Sequence, residues 1–116
     1  MHTLDALGDP VRRRLVELLS GGERPAGELA AAVGSEFGIS QPATSRHLRV
    51  LREAGILESV PRGQQRLYAV RPEPFDEVEH WARGVRQFWE GRLSALDTEI
   101  ARGVRGRSAQ EGDDHV

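Results

Sequence analysis

The stretch Ile39-Ser40-Gln41-Pro42-Ala43-Thr44-Ser45-Arg46-His47-Leu48-Arg49-Val50-Leu51-Arg52-Glu53-Ala54-Gly55 decides the fold. Ser40 reads as an N-cap whose hydroxyl can accept from a first-turn amide, and Pro42 falls in that turn, where a missing N–H is not needed. Thr44, Leu48 and Leu51 recur at i, i+4 and i+7 and mark a buried face, until Ala54-Gly55 closes the helix. The same geometry turns Gln41, Pro42, Ser45, Arg46 and Arg49 outward. Gln can donate to and accept from an adenine edge, Arg can fork onto guanine, and Ser can reach a base or a phosphate. The helix N-terminus adds free amides for a phosphate. Taken alone, an amphipathic helix with two outward arginines is ordinary solvated surface, so its neighbours in the chain carry the decision.

Upstream, Ala26 to Val33 is rich in Ala with Leu29 and Val33 four apart, which predicts a short helix ended by Gly34. Ser35-Glu36-Phe37-Gly38-Ile39 then connects it to the helix at Ser40, with Phe37 and Ile39 expected to point inward. Two short helices joined by a glycine-containing turn make a helix-turn-helix. Before them, Thr3 to Gly8 is a short helix with Leu4 and Leu7 on one side. Asp9-Pro10 then caps a longer helix with Val11, Leu15, Leu18 and Leu19 on one face, stopped by Ser20-Gly21-Gly22. Its other face, Arg12, Arg13, Arg14 and Glu17, is expected to be solvated.

Downstream the period changes. Ile56-Leu57-Glu58-Ser59-Val60 is extended, Pro61-Arg62-Gly63-Gln64 holds turn residues, and Gln65 to Val70 alternates polar and apolar, which predicts a two-stranded hairpin over about 57–70. Arg62, Gln64 and Arg66 lie near its tip, where cations and amides suit a phosphate backbone or the adjoining minor groove. Arg71-Pro72-Glu73-Pro74 prevents further strand. From Phe75, the apolar positions Val78, Trp81, Val85, Phe88, Trp89, Leu93, Leu96 and Ile100 form one broad stripe on a long helix. So small a domain cannot cover these aromatics, and a symmetry mate together with the amino-terminal helix can, which predicts a two-fold dimer buried on Leu4, Leu7, Trp81, Val85, Phe88, Trp89, Leu93 and Leu96. The expected fold is therefore mainly α with a small β-hairpin, a winged helix-turn-helix over residues 1–102. Its recognition helix spans about 40–53, and a tail without apolar period, expected to be disordered, covers 103–116.

The charge distribution agrees. The formal net charge is −2, which by itself opposes nucleic-acid binding. Between Ser40 and Val70, however, Arg46, Arg49, Arg52, Arg62 and Arg66 face only Glu53 and Glu58, whereas Glu73 to Glu99 is acidic on balance. One surface can attract phosphate while the other stays away from it. All sixteen basic residues are Arg.

The blocks Leu7-Gly8-Asp9-Pro10-Val11-Arg12-Arg13-Arg14-Leu15, Gly27-Glu28-Leu29-Ala30, Ile39 to Leu48, and Leu51-Arg52-Glu53-Ala54-Gly55-Ile56-Leu57 together resemble the ArsR/SmtB family of bacterial repressors across roughly residues 4 to 70. The resemblance implies a dimer joined through its terminal helices, bound to a palindromic operator in double-stranded DNA and released by a signal. It places Ser40, Gln41, Ser45, Arg46 and Arg49 toward the groove and makes His47 a partly buried helix residue. Gly34-Ser35-Glu36-Phe37 looks like an insertion into the family's turn. The family's metal sensors use paired cysteines, or Asp and His of the last helix. This chain has no cysteine, and beside Asp76, Glu79 and His80 no second His follows at ligand spacing. The expectation is a non-metal branch with no cofactor, in which release rests on an unidentified organic effector, a partner protein or nothing more than the protein's own concentration. No glycine-rich phosphate loop or spaced acid–base pair suggests an enzyme. No apolar run or leader suggests a membrane, so a cytoplasmic location is expected.

Overall fold

The computed structural model describes residues 2–103. Its elements in order are α1 (Thr3–Ala6), α2 (Pro10–Leu19), β1 (Arg24–Pro25), α3 (Ala26–Phe37), α4 (Gln41–Glu53), β2 (Leu57–Arg62), β3 (Gln65–Val70) and α5 (Pro74–Gly103). The expected tail lies outside the described residues except for Gly103, which belongs to α5.

The starts of α2 and α4 follow from their capping chemistry. The Asp9 carboxylate accepts from the amides of Val11 at 2.8 Å and Arg12 at 3.2 Å, satisfying donors that the first turn of α2 cannot pair internally. Ser40 does the same for α4 through the Ala43 amide at 3.2 Å. At the far end of α4, the Ile56 amide donates to Leu51 O and the Gly55 amide to Arg52 O, the paired bonds of a Schellman ending. Leu51 and Ile56, which that ending brings together, are both fully enclosed.

The core of the first compact unit, which runs to Val78, packs Val11, Leu15 and Leu19 of α2, Leu29 and Val33 of α3, Leu48 and Leu51 of α4, and Leu57 and Tyr68 of the sheet. Each fully buried Leu or Ile there contributes about 1.5–3 kcal/mol relative to exposure. Thr44, the one polar member of the α4 inner face, is buried and satisfied by donating its hydroxyl to Ser40 O at 3.2 Å. Phe75, at the start of α5, packs on the same core.

Three sequence expectations are corrected. First, α3 does not stop at Gly34 but runs one turn further to Phe37, so Gly34 to Phe37, expected to form a connector, belong to the helix. A mid-helix Gly costs about 1 kcal/mol relative to Ala. At this position, however, a side chain's Cβ would sit 3.3 Å from the Ile39 carbonyl oxygen, so the missing side chain is what lets the chain fold back closely. The added turn is tied to α2 by the Arg14 Nε, which donates to both carboxylate oxygens of Glu36 at 3.1 and 3.0 Å. The true stop is Gly38, whose φ of 68° lies in the left-handed region that glycine adopts without penalty. Phe37, expected inside, is consequently 40% exposed, while Ile39 does pack against the core.

Second, the wing has a third strand. The order is β1-β3-β2, all antiparallel, with Arg24 opposite Tyr68 and Pro25 opposite Leu67. Two residues ending in proline give no periodic signal, and only the tertiary arrangement reveals the pairing. Within the hairpin, Arg62 pairs with Gln65, so Pro61 and Arg62 belong to the strand and the turn is Gly63-Gln64. Gly63 has φ 63° at the first central position, which is where a type II′ turn calls for glycine.

Third, the polar face of α2 is not simply solvated. Arg12 Nε donates to Ala6 O at 2.6 Å and Arg13 Nη1 to Leu7 O at 2.9 Å, which satisfies carbonyls at the end of α1. A four-residue helix is far too short to hold itself, so these side chains, together with buried Thr3 and Ala6, fix it.

The second compact unit opens at Glu79 and is formed by α5. Trp81 (55%), Val85, Phe88 (57%), Trp89, Leu93 and Leu96 are all exposed along it. Phe88 and Trp89 meet edge to face with centroids 5.8 Å apart, and the Arg92 guanidinium lies 5.6 and 5.9 Å from the two ring centres. Among the described residues no helix is long and apolar enough to cross a membrane.

Candidate nucleic-acid interface

The outward face of α4 is as the sequence predicts. Gln41, Pro42, Ser45, Arg46 and Arg49 are all exposed, on the side opposite buried Thr44, Leu48 and Leu51. Ser40 is exposed too, but its oxygen is occupied as the N-cap acceptor, which leaves its hydrogen for an outside acceptor. Arg46 and Arg49 have no carboxylate within ion-pair distance among the described residues, so their guanidinium forks are free. His47 is half-buried on the flank of α4 that faces Arg12, the environment expected of a helix residue.

The wing brings Arg62, Gln64 and Arg66 to exposed positions, but not as equivalent groups at one tip. Arg62, at the end of β2, lies 3.6 Å from the carboxylate of Glu23, a residue of the loop after α2. Gln64 sits in the turn itself. Arg66 turns back along the sheet, its Nη1 donating to the Ser59 hydroxyl oxygen at 2.8 Å. Gln64, Gln65 and Arg66 share a cleft of about 350 Å³ with Pro25 to Glu28 at the start of α3.

Two residues of this surface escape a reading by residue type alone. Arg52 is exposed near the end of α4 and donates to the same Ser59 oxygen at 3.4 Å. The outer line from Gln41 through Ser45 and Arg49 reaches it at the next helical step, so helix periodicity carried one turn further would have included it. Ser59 has no comparable signal. Its meeting with Arg66 is set by the register of the hairpin, and its meeting with Arg52 by how the sheet packs against α4.

Behind this face, Asp9 anchors the start of α2. Burial opposes its charged form. The amides of Arg12 and Val11, together with the positive charge of Arg12, outweigh that effect and hold the carboxyl below its ordinary pKa. Leu7, proposed from the sequence for a subunit contact, packs against the core of the first unit, and Leu4 is half-buried.

A helix-turn-helix domain family matches residues 7–60, the span from the end of α1 into β2. The transcriptional repressor SdpR of Bacillus subtilis is 33% identical over 80 residues, covering 69% of this chain and 84% of that protein. The crystal structure of a "possible transcriptional regulator for arsenical resistance" is 34% identical with a TM-score of 0.65, covering 85% of this chain and 96% of that one. That of an ArsR family transcriptional regulator is 31% identical with a TM-score of 0.64, covering 75% and 86%. The chain belongs to the ArsR/SmtB family. Its fold is the winged helix-turn-helix of that family, with α3 and α4 as the helix-turn-helix and the β2–β3 hairpin as the wing. The alignments to other curated relatives cover 47–59% of those proteins. The last turn of α3, up to Phe37, lies directly before α4, and the cap at Ser40 and the buried Thr44, Leu48 and Leu51 keep α4 seated on the core.

Proposed function

We propose that this chain is a non-enzymatic, cytoplasmic repressor that binds duplex DNA as a two-fold dimer. The observation that carries the proposal is the outer face of α4, where Gln41, Ser45, Arg46 and Arg49 are exposed on a helix rigidly held by Thr44, Leu48 and Leu51, with Arg46 and Arg49 unpaired among the described residues. Residues that read base edges must be both rigidly mounted and free of internal partners, and these are. The wing supplies phosphate contacts beside the groove through Arg62, Gln64 and Arg66. Repression is supported by the similarity to SdpR, which is described as a transcriptional repressor.

The dimer is supported by the apolar stripe of α5. Six large apolar side chains exposed on one helix cost the isolated chain solvation free energy, and a second copy of the same stripe is the simplest surface that matches it. Pairing two α4 helices by a two-fold axis suits a palindromic site with half-sites about one helical turn of DNA apart. With no cysteine anywhere in the chain, a thiolate route to a signal is closed, which leaves an organic ligand, a partner protein or the protein's own concentration to govern release.

The test is an electrophoretic mobility titration of the purified protein on duplex from its own upstream region. The expected result is retardation at low salt that weakens steeply as salt is added. Absence of retardation at low salt overturns the proposal.

A further inference from the structure

Resting on the DNA-binding reading, we infer that Arg52, Ser59 and Arg66 form a single phosphodiester clamp at the joint between the recognition helix and the wing. The two guanidinium groups come from different elements, α4 and β3, and converge on one hydroxyl oxygen of β2, at 3.4 Å from Arg52 Nη1 and 2.8 Å from Arg66 Nη1. The strand register explains how. Ser59 lies opposite Tyr68, and Arg66 is two residues from Tyr68 on the same strand, so Ser59 and Arg66 are diagonal neighbours on one face of the hairpin. Arg52 reaches that face from the last turn of α4.

Like charges drawn together repel, and a serine oxygen carries too little charge to offset two guanidinium groups. Structures ordinarily place a carboxylate in such a position. Here none lies within ion-pair distance of either arginine among the described residues. The neighbouring acids are Glu53, beside Arg52 on α4, Glu58, on the opposite face of the hairpin, and Glu28, across the cleft from Arg66. Both arginines are exposed. The arrangement is a preformed cationic fork that lacks its anion. An oxygen of one backbone phosphate between the two groups accepts charge-assisted bonds from both, while Ser59, whose oxygen already accepts from them, holds their spacing. Because the clamp bridges α4 and the hairpin, one phosphate fixes the wing relative to the reading helix. It positions the protein and carries no base preference of its own.

The proposal predicts a shared site and not two independent contacts. Binding of the full chain to a random-sequence 30-bp duplex is measured by fluorescence anisotropy across a salt series, for the wild type, Arg52→Gln, Arg66→Gln, the double variant and Ser59→Ala, each first shown by circular dichroism to keep its melting profile. Both single variants weaken binding, and the double variant weakens it by less than the product of the two. Together they lower the slope of log affinity against log salt by about 1, the value for one lost phosphate. Ser59→Ala weakens binding while leaving the slope within half of that change. A double variant with wild-type affinity and slope overturns the clamp and leaves the DNA reading intact. Full additivity, with a slope change near 2, overturns the shared site in favour of two separate contacts. A wild type that fails to bind this duplex at low salt overturns both.

Discussion

Arg12 Nη1 lies 3.3 Å from His47 Nδ1, while Nε of the same side chain donates to the Ala6 carbonyl at 2.6 Å, so one guanidinium joins α1 to the recognition helix. The Arg12 contacts are partly buried, whereas the Arg13 bond to Leu7 O is exposed. A lost part-buried hydrogen bond costs more than a lost exposed one, because the stranded partner is harder for water to reach. Arg12→Ala is expected to destabilise the fold by about 1–2 kcal/mol and Arg13→Ala by about 0.5 kcal/mol or less, measured by urea unfolding. Equal costs for the two would show that the contact to α4 contributes nothing. Arg12→Lys restores little, since a single ammonium cannot span both acceptors in the planar geometry of the guanidinium.

Asp9 links stability to pH. Its folded pKa is depressed below the ordinary 3.8, so the cap's contribution is fully present above about pH 4 and is lost as pH falls through the lower folded value. Asn caps a helix about as well as Asp without titrating. Asp9→Asn should therefore match the wild type near neutrality apart from its lost charge interactions, and should fall less steeply than the wild type below pH 4. Asp9→Ala should cost about 1 kcal/mol at neutral pH. Parallel pH profiles for the wild type and Asp9→Asn would assign the acid sensitivity elsewhere.

The two kinds of DNA contact should separate by specificity. If Arg46 forks onto a base edge, Arg46→Ala costs about 1–3 kcal/mol on the specific site and relaxes sequence preference, while Arg62→Ala weakens specific and random duplex alike. The Arg62–Glu23 pair adds a sign that the sequence could not supply. Glu23 competes with phosphate for the same guanidinium, although an exposed pair of this kind is weak. Glu23→Gln is expected to tighten binding to every duplex by no more than about threefold, and a loss of affinity would place Arg62 outside the interface.

Those residues also show what a chain read alone can and cannot reveal. The face of α4 was legible because it depends on local periodicity and on one cap, Ser40, whose chemistry is written in the next few residues. The stripe on α5 was legible for the same reason. By contrast Gly34 and Gly38 are both plausible helix stops from sequence, and the choice was made by tertiary packing. The Ile39 carbonyl closes on Gly34, and Glu36 reaches Arg14, twenty-two residues away. The pairings of Arg24 with Tyr68 and of Arg62 with Glu23 are long-range meetings without periodic trace, and the meeting of Arg52 with Ser59 depends on how α4 packs on the sheet. The sequence therefore suggested which side chains face outward, but not which are already engaged.

The wing offers a test of geometry without chemistry. Gly63 has open space around its Cβ direction, so a methyl group there meets nothing, yet its φ of 63° is strained for any L side chain. Gly63→Ala should cost about 1–2 kcal/mol from backbone strain alone, read by thermal unfolding, and should loosen the hairpin that carries Arg62, Gln64 and Arg66. Binding to random duplex should weaken with it. An unchanged melting temperature would mean that the turn relaxes to another type with little energetic cost.

The exposed stripe of α5 carries the last expectation. Trp81 and Phe88 are each more than half exposed and lie seven residues apart, two turns along one face. If a second copy covers that face, each of these side chains is buried twice in the dimer, and truncating a large aromatic at such a contact removes about 2 kcal/mol or more per site. Trp81→Ala combined with Phe88→Ala should then convert the dimer to monomer at micromolar concentration in sedimentation velocity. Because α4 of a monomer reaches only one half-site, affinity for a palindromic operator should fall far more than affinity for a single half-site. The second readout separates loss of the dimer from loss of the fold, since an unfolded protein would lose both duplexes equally. A double variant that still sediments as a dimer would move the subunit contact away from Trp81 and Phe88.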